Sequence, residues 1–153
     1  MREGVRLGLD VGTVRIGVAL SDAAGMLAMP QQTIQRSDSD FLAQLVSLCE
    51  ELAVSEVIVG LPLALSGSLT ASTRDALHVA SALEAEISVG VRMVDERLTT
   101  VSAQGAIRQS GKNHKQSRAI IDQVAAVMIL QHALDSERSS GRIPGKLIAD
   151  VQG

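Results

Sequence analysis

The sequence predicts a single α/β domain in which a mixed sheet of five strands is flanked by helices. Three observations predict this class: the length of 153 residues suits one domain, 46% of the residues are hydrophobic, and the period of the apolar positions changes along the chain from two residues to that of a helix. We expect the domain to span residues 1–138. Residues 139–153, which include Gly141, Pro144 and Gly145, are expected to form a weakly ordered tail.

The first third of the chain predicts an antiparallel meander of three strands. Apolar residues alternate with small or polar ones over residues 7–11, and the alternation returns over residues 16–20 after a short turn. Turn-forming residues 22–25 then lead into a third strand that ends near Ile34. Because the links are short, we expect these strands to pair antiparallel in chain order.

The rest of the chain alternates helices with two strands and closes on a helix. A continuous apolar run at residues 57–59 predicts a strand that is covered on both faces, and residues 89–94 predict a fifth strand. Residues 37–40 supply several side chains that can cap the first helix. Apolar residues at helical spacing predict helices over about 41–52, 73–83, 101–108 and 117–135.

The composition excludes several function classes. No apolar run approaches the roughly 20 residues of a membrane-spanning helix, and the charged first residues are not those of a secretory signal, so we expect no membrane partner. Cys49 is the only cysteine and lies at a core position of a helical pattern, which favours a reduced, cytoplasmic setting. Phe41 is the only aromatic residue, so stacking of unpaired bases on aromatic side chains is not expected.

The charged residues are distributed unevenly along the chain. Residues 1–96 carry 6 basic and 13 acidic side chains, whereas residues 97–153 carry 8 basic and 4 acidic ones. A phosphate backbone responds to a local basic face and not to the net charge, so the formal charge of −3 does not exclude a nucleic-acid partner.

Asp10 is the first candidate functional residue. It lies in a predicted strand between Leu9 and Val11, where burial of a carboxylate is unfavourable unless a partner compensates its charge. Gly8 and Gly12 leave the same strand face without side chains, and the resulting space suits a metal ion or a phosphate. The alternative is an aspartate at a strand end that bonds to the amides of the turn.

Further acidic residues lie at positions that suit a site. Asp95 and Glu96 end the fifth predicted strand, and ligands of α/β proteins gather at the carboxyl ends of strands. The alternative is a solvated pair or a salt bridge with Arg97. Asp122 lies within one of the most apolar stretches of the chain, and the simpler interpretation is a favourable charge near a helix start.

Taken together, these carboxylates favour a divalent metal site. Oxygen ligands without a cysteine and histidine cluster indicate Mg²⁺ or Mn²⁺ instead of zinc. Two such ions about 3.5–4 Å apart can support cleavage of a phosphodiester, and Asp10 would be the carboxylate that they share.

Residues 108–118 form a basic segment that contains no acidic residue. The segment leads into the helix that bears Asp122, so a phosphate backbone bound there would lie near the proposed metals. A merely solvated loop is the alternative. The basic side chains of the segment are Arg108, Lys112, Lys115 and Arg118, together with His114.

Four motifs resemble, in the same order, those of the YqgF/RuvX family of pre-16S rRNA nucleases, which are related to Holliday-junction resolvases. The resemblance covers nearly the whole chain and leaves out only the tail. The motifs are LGLDVGTVRIGVALSD at 7–22, VGLPLALSGS at 59–68, VDERLTT at 94–100 and IIDQVAAVMILQHALD at 120–135.

The resemblance implies an RNase H-like fold and a metal-dependent nuclease. Its expected role is maturation of the 5′ end of pre-16S rRNA, with resolution of branched DNA as the alternative. Asp10, Glu96 and Asp122 match the family's acidic triad, so the resemblance implies that they are catalytic and bind Mg²⁺ or Mn²⁺. Asp95 is the alternate to Glu96, because the strand register is not known from the sequence.

The resemblance also extends to nucleic-acid contacts. Arg15 and Arg97 lie within the matching motifs and are expected to face phosphates, as are the four basic side chains of the 108–118 segment. Val14 departs from the family, since many relatives carry lysine there. A homodimer and association with the ribosome are further expectations.

Two interpretations from other classes are left open. A non-catalytic factor associated with RNA or the ribosome would bind through the basic segment, while the acids stabilise the structure. Residues 9–13 also resemble the first phosphate motif of actin-like sugar kinases and chaperone ATPases, but those proteins bind ATP between two such domains, and 153 residues accommodate one. Loss of divalent-metal affinity in Asp10→Asn would distinguish a nuclease from a passive binder.

Overall fold

The structure is a computed structural model that describes residues 1–97 and 114–151, with the backbone alone described for residues 114–121. Its strands are β1 (Arg6–Val11), β2 (Arg15–Ser21), β3 (Ala28–Gln35), β4 (Glu56–Leu61), β5 (Gly90–Asp95) and β6 (Lys146–Leu147). Its helices are α1 (Phe41–Glu51), α2 (Ala71–Glu86) and α3 (His114–Ser140), followed by a short 3-10 helix (Ile148–Asp150).

The strands form one mixed sheet in the order β3-β2-β1-β4-β5-β6. β1, β2 and β3 pair antiparallel, whereas β1, β4 and β5 run parallel to one another. The predicted α/β class, the meander and the two parallel strands are therefore confirmed.

The predicted count of five strands is wrong by one. β6 pairs antiparallel with β5, with Leu147 opposite Arg92 and Lys146 opposite Met93. Two residues are too few to produce an alternating pattern, so the sequence contains no signal for this strand. The strand lies within the segment expected to be a weakly ordered tail, and the division into a domain and a tail stays a prediction.

Helices cover both faces of the sheet, which explains why all six residues of β4 are buried. α1 and α2 pack on one face, against a cluster that includes Leu7, Leu9 and Val59. α3 packs on the other face, where Ile129 and Leu130 belong to a second apolar cluster. The period of two in β1 therefore separates Leu7 and Leu9 from the positions that face α3, which include Asp10.

Glycines allow α3 to approach the sheet closely. A Cβ atom at Gly8 would lie 2.7 Å from Leu130 Cβ, and one at Gly17 would overlap the carbonyl oxygen of Asp122. A Cβ atom at Gly12 would lie 2.7 Å from the carbonyl oxygen of Arg15. The expectation that Gly8 and Gly12 leave empty space for a ligand beside Asp10 is therefore wrong, because a helix and a turn fill that space.

α2 and α3 extend beyond the predicted helices, whereas α1 agrees with its predicted bounds to within one residue. α2 begins two residues before the predicted start, because Thr70 and Thr73 form a capping box there. Asp40, one of the predicted caps, occupies the N-cap position of α1, although its side chain makes no capping hydrogen bond. The short helix predicted over 101–108 lies outside the described residues. None of the helices in the described part of the chain has both the length and the apolar composition needed to cross a bilayer.

Candidate active site

Three elements bring carboxyl groups to one edge of the sheet. Asp10 is the fifth residue of β1, Glu96 directly follows β5, and Asp122 lies on α3. β1, β4 and β5 are parallel, so their carboxyl ends lie at the same edge, and the amide of Glu96 donates to the carbonyl of Leu61 at the end of β4 (3.3 Å). Asp122 joins them because α3 packs directly over Gly17, which pairs with Asp10 in the sheet.

The carboxyl groups of Asp10 and Glu96 are close enough that each affects the pKa of the other. Burial raises the pKa of Asp10 to about 6, and the negative charge of Asp122 adds to that rise. Burial also raises the pKa of Glu96 to about 8, with further contributions from the charges of Asp10 and Asp95. Burial is the largest cause of both shifts, so ionising both carboxyl groups is unfavourable unless a positive charge compensates them.

Gly60 provides the space for the carboxyl group of Glu96. A Cβ atom at this position would overlap Glu96 Oε2 and would lie 2.6 Å from Ile129 Cδ1. Ile129 is buried, so Glu96 has an apolar wall on its inner side. A larger residue at position 60 would therefore displace the carboxyl group, the isoleucine or both.

Asp122 is paired with Arg15 at the start of β2. Arg15 Nε donates to Asp122 Oδ2 at 2.6 Å, and both side chains are largely buried, with exposed fractions of 21% and 17%. Burial raises the pKa of Asp122, and the Arg15 guanidinium opposes that rise. Arg15, predicted to face phosphates, thus also orients one of the acidic residues.

Asp95 does not take the place of Glu96 beside Asp10. Its side chain accepts hydrogen bonds from Arg97, including one from Arg97 Nε at 2.9 Å, and Arg97 also donates to the carbonyl of Leu65 at 3.2 Å. The Arg97 guanidinium holds the pKa of Asp95 below its usual range. Since successive strand residues face opposite sides, Glu96 shares the face of Val94, which packs against α3.

The described residues cover only part of the predicted basic surface. Arg15 and Arg97 both lie beside the acidic residues. Arg108 and Lys112 fall outside the described residues, and the side chains of Lys115 and Arg118, in the first turns of α3, are not described either. The assignment of these four residues to nucleic-acid contacts stays a prediction.

The donor chemistry fits a hard divalent cation. Among residues 1–97 and 122–151, no three His, Cys, Asp or Glu side chains are grouped closely enough to hold a metal ion by themselves. Mg²⁺ is commonly held by one or two carboxylates, with water and substrate phosphates as its other ligands. Asp10 and Glu96 are such a donor set, and a bound cation would offset the burial and the neighbouring negative charges that raise the pKa values of both groups.

Sequence reasoning missed two residues that shape the site. Gly17 and Gly60 lie inside strands, where glycine weakens the strand and often marks a close approach of another group. That signal was present in the sequence, but the identity of the approaching group depends on where α3 and Glu96 lie.

An RNase H-like sheet with acidic residues on its first strand, at a later strand end and on its last helix defines the class of this protein. Among solved structures, RuvC of Thermus thermophilus matches with a TM-score of 0.53 at 14% identity, over 89% of this chain and 97% of that chain. RuvC in complex with a Holliday junction substrate gives a TM-score of 0.54 at 14% identity, with 90% and 97% covered. At this identity the match shows the fold.

The family is shown by sequence comparison. A family profile described as "RuvX: Holliday junction resolvase" matches residues 4–136, and the chain belongs to this nuclease family. A relative from Leifsonia xyli is 58% identical over 146 residues, which is 95% of this chain and 94% of the relative. One from Nocardioides sp. is 44% identical over 156 residues, covering 99% of this chain and 100% of the relative. Both relatives are named "Putative pre-16S rRNA nuclease".

Proposed function

We propose that the protein is a divalent-metal-dependent nuclease that hydrolyses phosphodiester bonds at the 5′ end of pre-16S rRNA. The observation that carries the proposal is the convergence of three carboxyl-bearing residues at one edge of the sheet: Asp10 pairs with Gly17, Asp122 packs over Gly17, and Glu96 directly follows β5. Carboxyl groups whose pKa values are raised by burial and by neighbouring negative charge are typical of sites that bind a cation. The names of the relatives support pre-16S rRNA as the substrate.

Asp10 and Glu96 would hold Mg²⁺ or Mn²⁺, and Asp122, paired with Arg15, would add negative charge beside the ion. When bound, the divalent cation supplies a nucleophile at neutral pH by acidifying water, and it neutralises charge on the phosphate. The chain's own residues orient these groups: Arg15 fixes the carboxylate of Asp122, and Ile129 excludes water from the inner side of Glu96.

Arg97 would bind the phosphate backbone beside the scissile bond. It directly follows Glu96, and about a third of its side chain is exposed (34%) while it contacts Asp95. A phosphate offers the guanidinium the same two-oxygen geometry as that carboxylate. In this proposal Arg15 also faces phosphate, and Arg108, Lys112, Lys115 and Arg118 position the strand farther from the acids.

A second candidate function is resolution of branched DNA. The description of the matching family and the fold shared with RuvC favour it. A four-way junction and precursor rRNA both present phosphates, so the acidic site itself does not discriminate between them. A homodimer, association with the ribosome and a cytoplasmic location stay predictions.

Cleavage assays with Mn²⁺ and then Mg²⁺ test the proposal on a precursor rRNA fragment and a four-way DNA junction side by side. We expect metal-dependent cutting of the rRNA, reduced more than about 100-fold in Asp10→Asn, because loss of a ligand exceeds the effect of losing its supporting contacts. Asp38→Asn is the matched control, since Asp38 is exposed and accepts only a weak 3.3 Å side-chain bond from Gln44.

Other results of these cleavage assays would favour a different function or a different site. Cutting of the junction alone would favour the resolvase. Equal rates for Asp10→Asn and the wild-type protein would show that the site assignment is wrong. Binding of rRNA without cleavage under either metal would favour the non-catalytic factor.

A further inference from the structure

We propose that Arg36, which directly follows β3, is a positioning residue for the acidic site. The inference rests on the proposed nuclease function and adds a residue that lies outside the acidic triad and the predicted basic surface. It acts through the turn of residues 12–15, which connects Asp10 to Arg15.

The guanidinium of Arg36 joins this turn to α2. Nη1 donates to the carbonyl of Gly12 at 2.7 Å and to Asp75 Oδ2 at 2.9 Å, while Nη2 donates to Asp75 Oδ1 at 3.0 Å. The Cζ atom of Arg36 lies 5.0 Å from the centre of the Phe41 ring, at the start of α1. Contacts with α1 and α2 therefore hold the guanidinium in place, and its bond to Gly12 holds the turn of residues 12–15.

Two backbone hydrogen bonds also hold the turn of residues 12–15 in place. The amide of Gly12 donates to the carbonyl of Arg15 at 2.9 Å, and the amide of Arg36 donates to the carbonyl of Val14 at 2.9 Å. Val14 is exposed by 59%, so its side chain contributes little packing. The side-chain bond from Arg36 to Gly12 therefore supplies a third anchor, at the residue where the chain leaves β1.

The turn sets the relative positions of two site residues. Asp10 lies two residues before Gly12, and Arg15 ends the turn and holds Asp122 at 2.6 Å. A rotation of the turn would move Arg15 Nε away from the carboxylate and would also shift the end of β1. Displacements of about 1 Å at a reacting centre can cost about 100-fold in rate.

Lysine is the informative replacement for Arg36. It keeps the positive charge, but one ammonium cannot bind both oxygens of Asp75 in a fork while it also donates to Gly12. Arg92 offers a matched control, because its guanidinium also donates to backbone carbonyls, those of Pro144 (2.8 Å) and Gly145 (2.7 Å), remote from the turn.

The experiment compares Arg36→Lys, Arg92→Lys and wild type in Mn²⁺-dependent cleavage of the precursor rRNA fragment, at a temperature well below unfolding of all three. We expect kcat of Arg36→Lys to fall about 10-fold or more with KM unchanged, and kcat of Arg92→Lys to stay at the wild-type value. Asp75→Asn should also lower kcat. Because Arg36 and Asp75 act as a pair, the double variant Arg36→Lys/Asp75→Asn should have a kcat no lower than that of Arg36→Lys alone.

Amide hydrogen exchange supplies a readout that does not need activity. Exchange at Gly12 should be faster in Arg36→Lys than in wild type and unchanged in Arg92→Lys. Normal kcat for Arg36→Lys, or unchanged exchange at Gly12, would overturn the inference. If wild type itself cuts neither substrate, the proposed function fails, while the exchange measurement still decides whether Arg36 holds the turn.

Discussion

Charged side chains lie at both ends of the interface between α3 and the sheet, but acidic and basic residues are paired differently at the two ends. Near the end of α3, Glu137 lies between two arginines: Arg2 Nη2 is 2.7 Å from Glu137 Oε1, and Arg6 Nη2 is 3.4 Å from Glu137 Oε2. Arg2 also pairs with Glu56 at 2.9 Å. At the opposite end lie Asp10, Glu96 and Asp122, of which Asp122 pairs with Arg15 at 2.6 Å.

The carboxyl pKa values of the two clusters shift in opposite directions. The guanidinium of Arg2 lowers the pKa of Glu137, and the two glutamates raise the pKa of Arg2, so this cluster stabilises its charges internally. In the acidic cluster, burial and repulsion raise the pKa of Asp10 and Glu96. The difference shows that one interface contains both a cluster that stabilises its carboxylates in the charged form and a site in which ionised carboxyl groups are disfavoured.

The largest expected effect on stability comes from breaking the cluster around Glu137. Glu137→Gln should lower the free energy of unfolding by about 3 kcal/mol, because Arg6, exposed by only 2%, loses its buried ionic partner. Urea unfolding measures the change. Glu84→Gln, at an exposed position of α2, is the control and should stay within about 0.5 kcal/mol of wild type. A loss below about 1 kcal/mol would mean that the cluster contributes no more than a surface ion pair.

In the metal-free protein, neutralising a carboxyl group of the acidic cluster should increase the free energy of unfolding, whereas Glu137→Gln should decrease it. An acid whose pKa is raised by folding contributes stability below its ordinary pKa and loses it as pH rises through the folded value. The chelated wild-type protein should therefore become less stable from about pH 4 to about pH 8.

Asp10→Asn should remove much of this slope. At pH 8 in chelator it should be more stable than wild type, by on the order of 2 kcal/mol. Mn²⁺ should raise the Tm of wild type and leave that of Asp10→Asn unchanged, since a ligand stabilises only the state that binds it. Thermal unfolding at several pH values, with Asp38→Asn as control, measures both effects, and equal pH slopes for the two variants would contradict the expectation.

The smallest expected change in stability comes from filling the space beside Glu96. Gly60→Ala should destabilise the protein by about 1 kcal/mol through overpacking, and it should weaken Mn²⁺ binding about 10-fold by displacing the carboxyl group. Gly90→Ala is the matched control in a neighbouring strand, because a Cβ atom there meets nothing within 4 Å. Calorimetric titration with Mn²⁺ measures the affinity, and equal affinities for the two variants would show that Gly60 does not position Glu96.

The sequence predicted the residue types of the site better than their partners. Alternation in the first strand and the end of a later strand made Asp10, Asp95 and Glu96 candidates, because these signals are local, and only the family resemblance favoured Glu96 over Asp95. The pairs Arg15–Asp122 and Arg6–Glu137 join residues that are 107 and 131 positions apart, and they depend on where the last helix packs. The same dependence explains why Gly8 was interpreted as open space although Leu130 lies over it.

The link between Arg15 and Asp122 has a consequence for the timing of synthesis. At translation rates of about 5–20 residues per second, the 107 positions that separate them correspond to a delay on the order of 5–20 s. During that interval a nascent chain holds Asp10 and Arg15 but lacks the helix that completes the acidic cluster. On the proposed function, the acidic site would therefore be incomplete on the ribosome until the last helix has been synthesised.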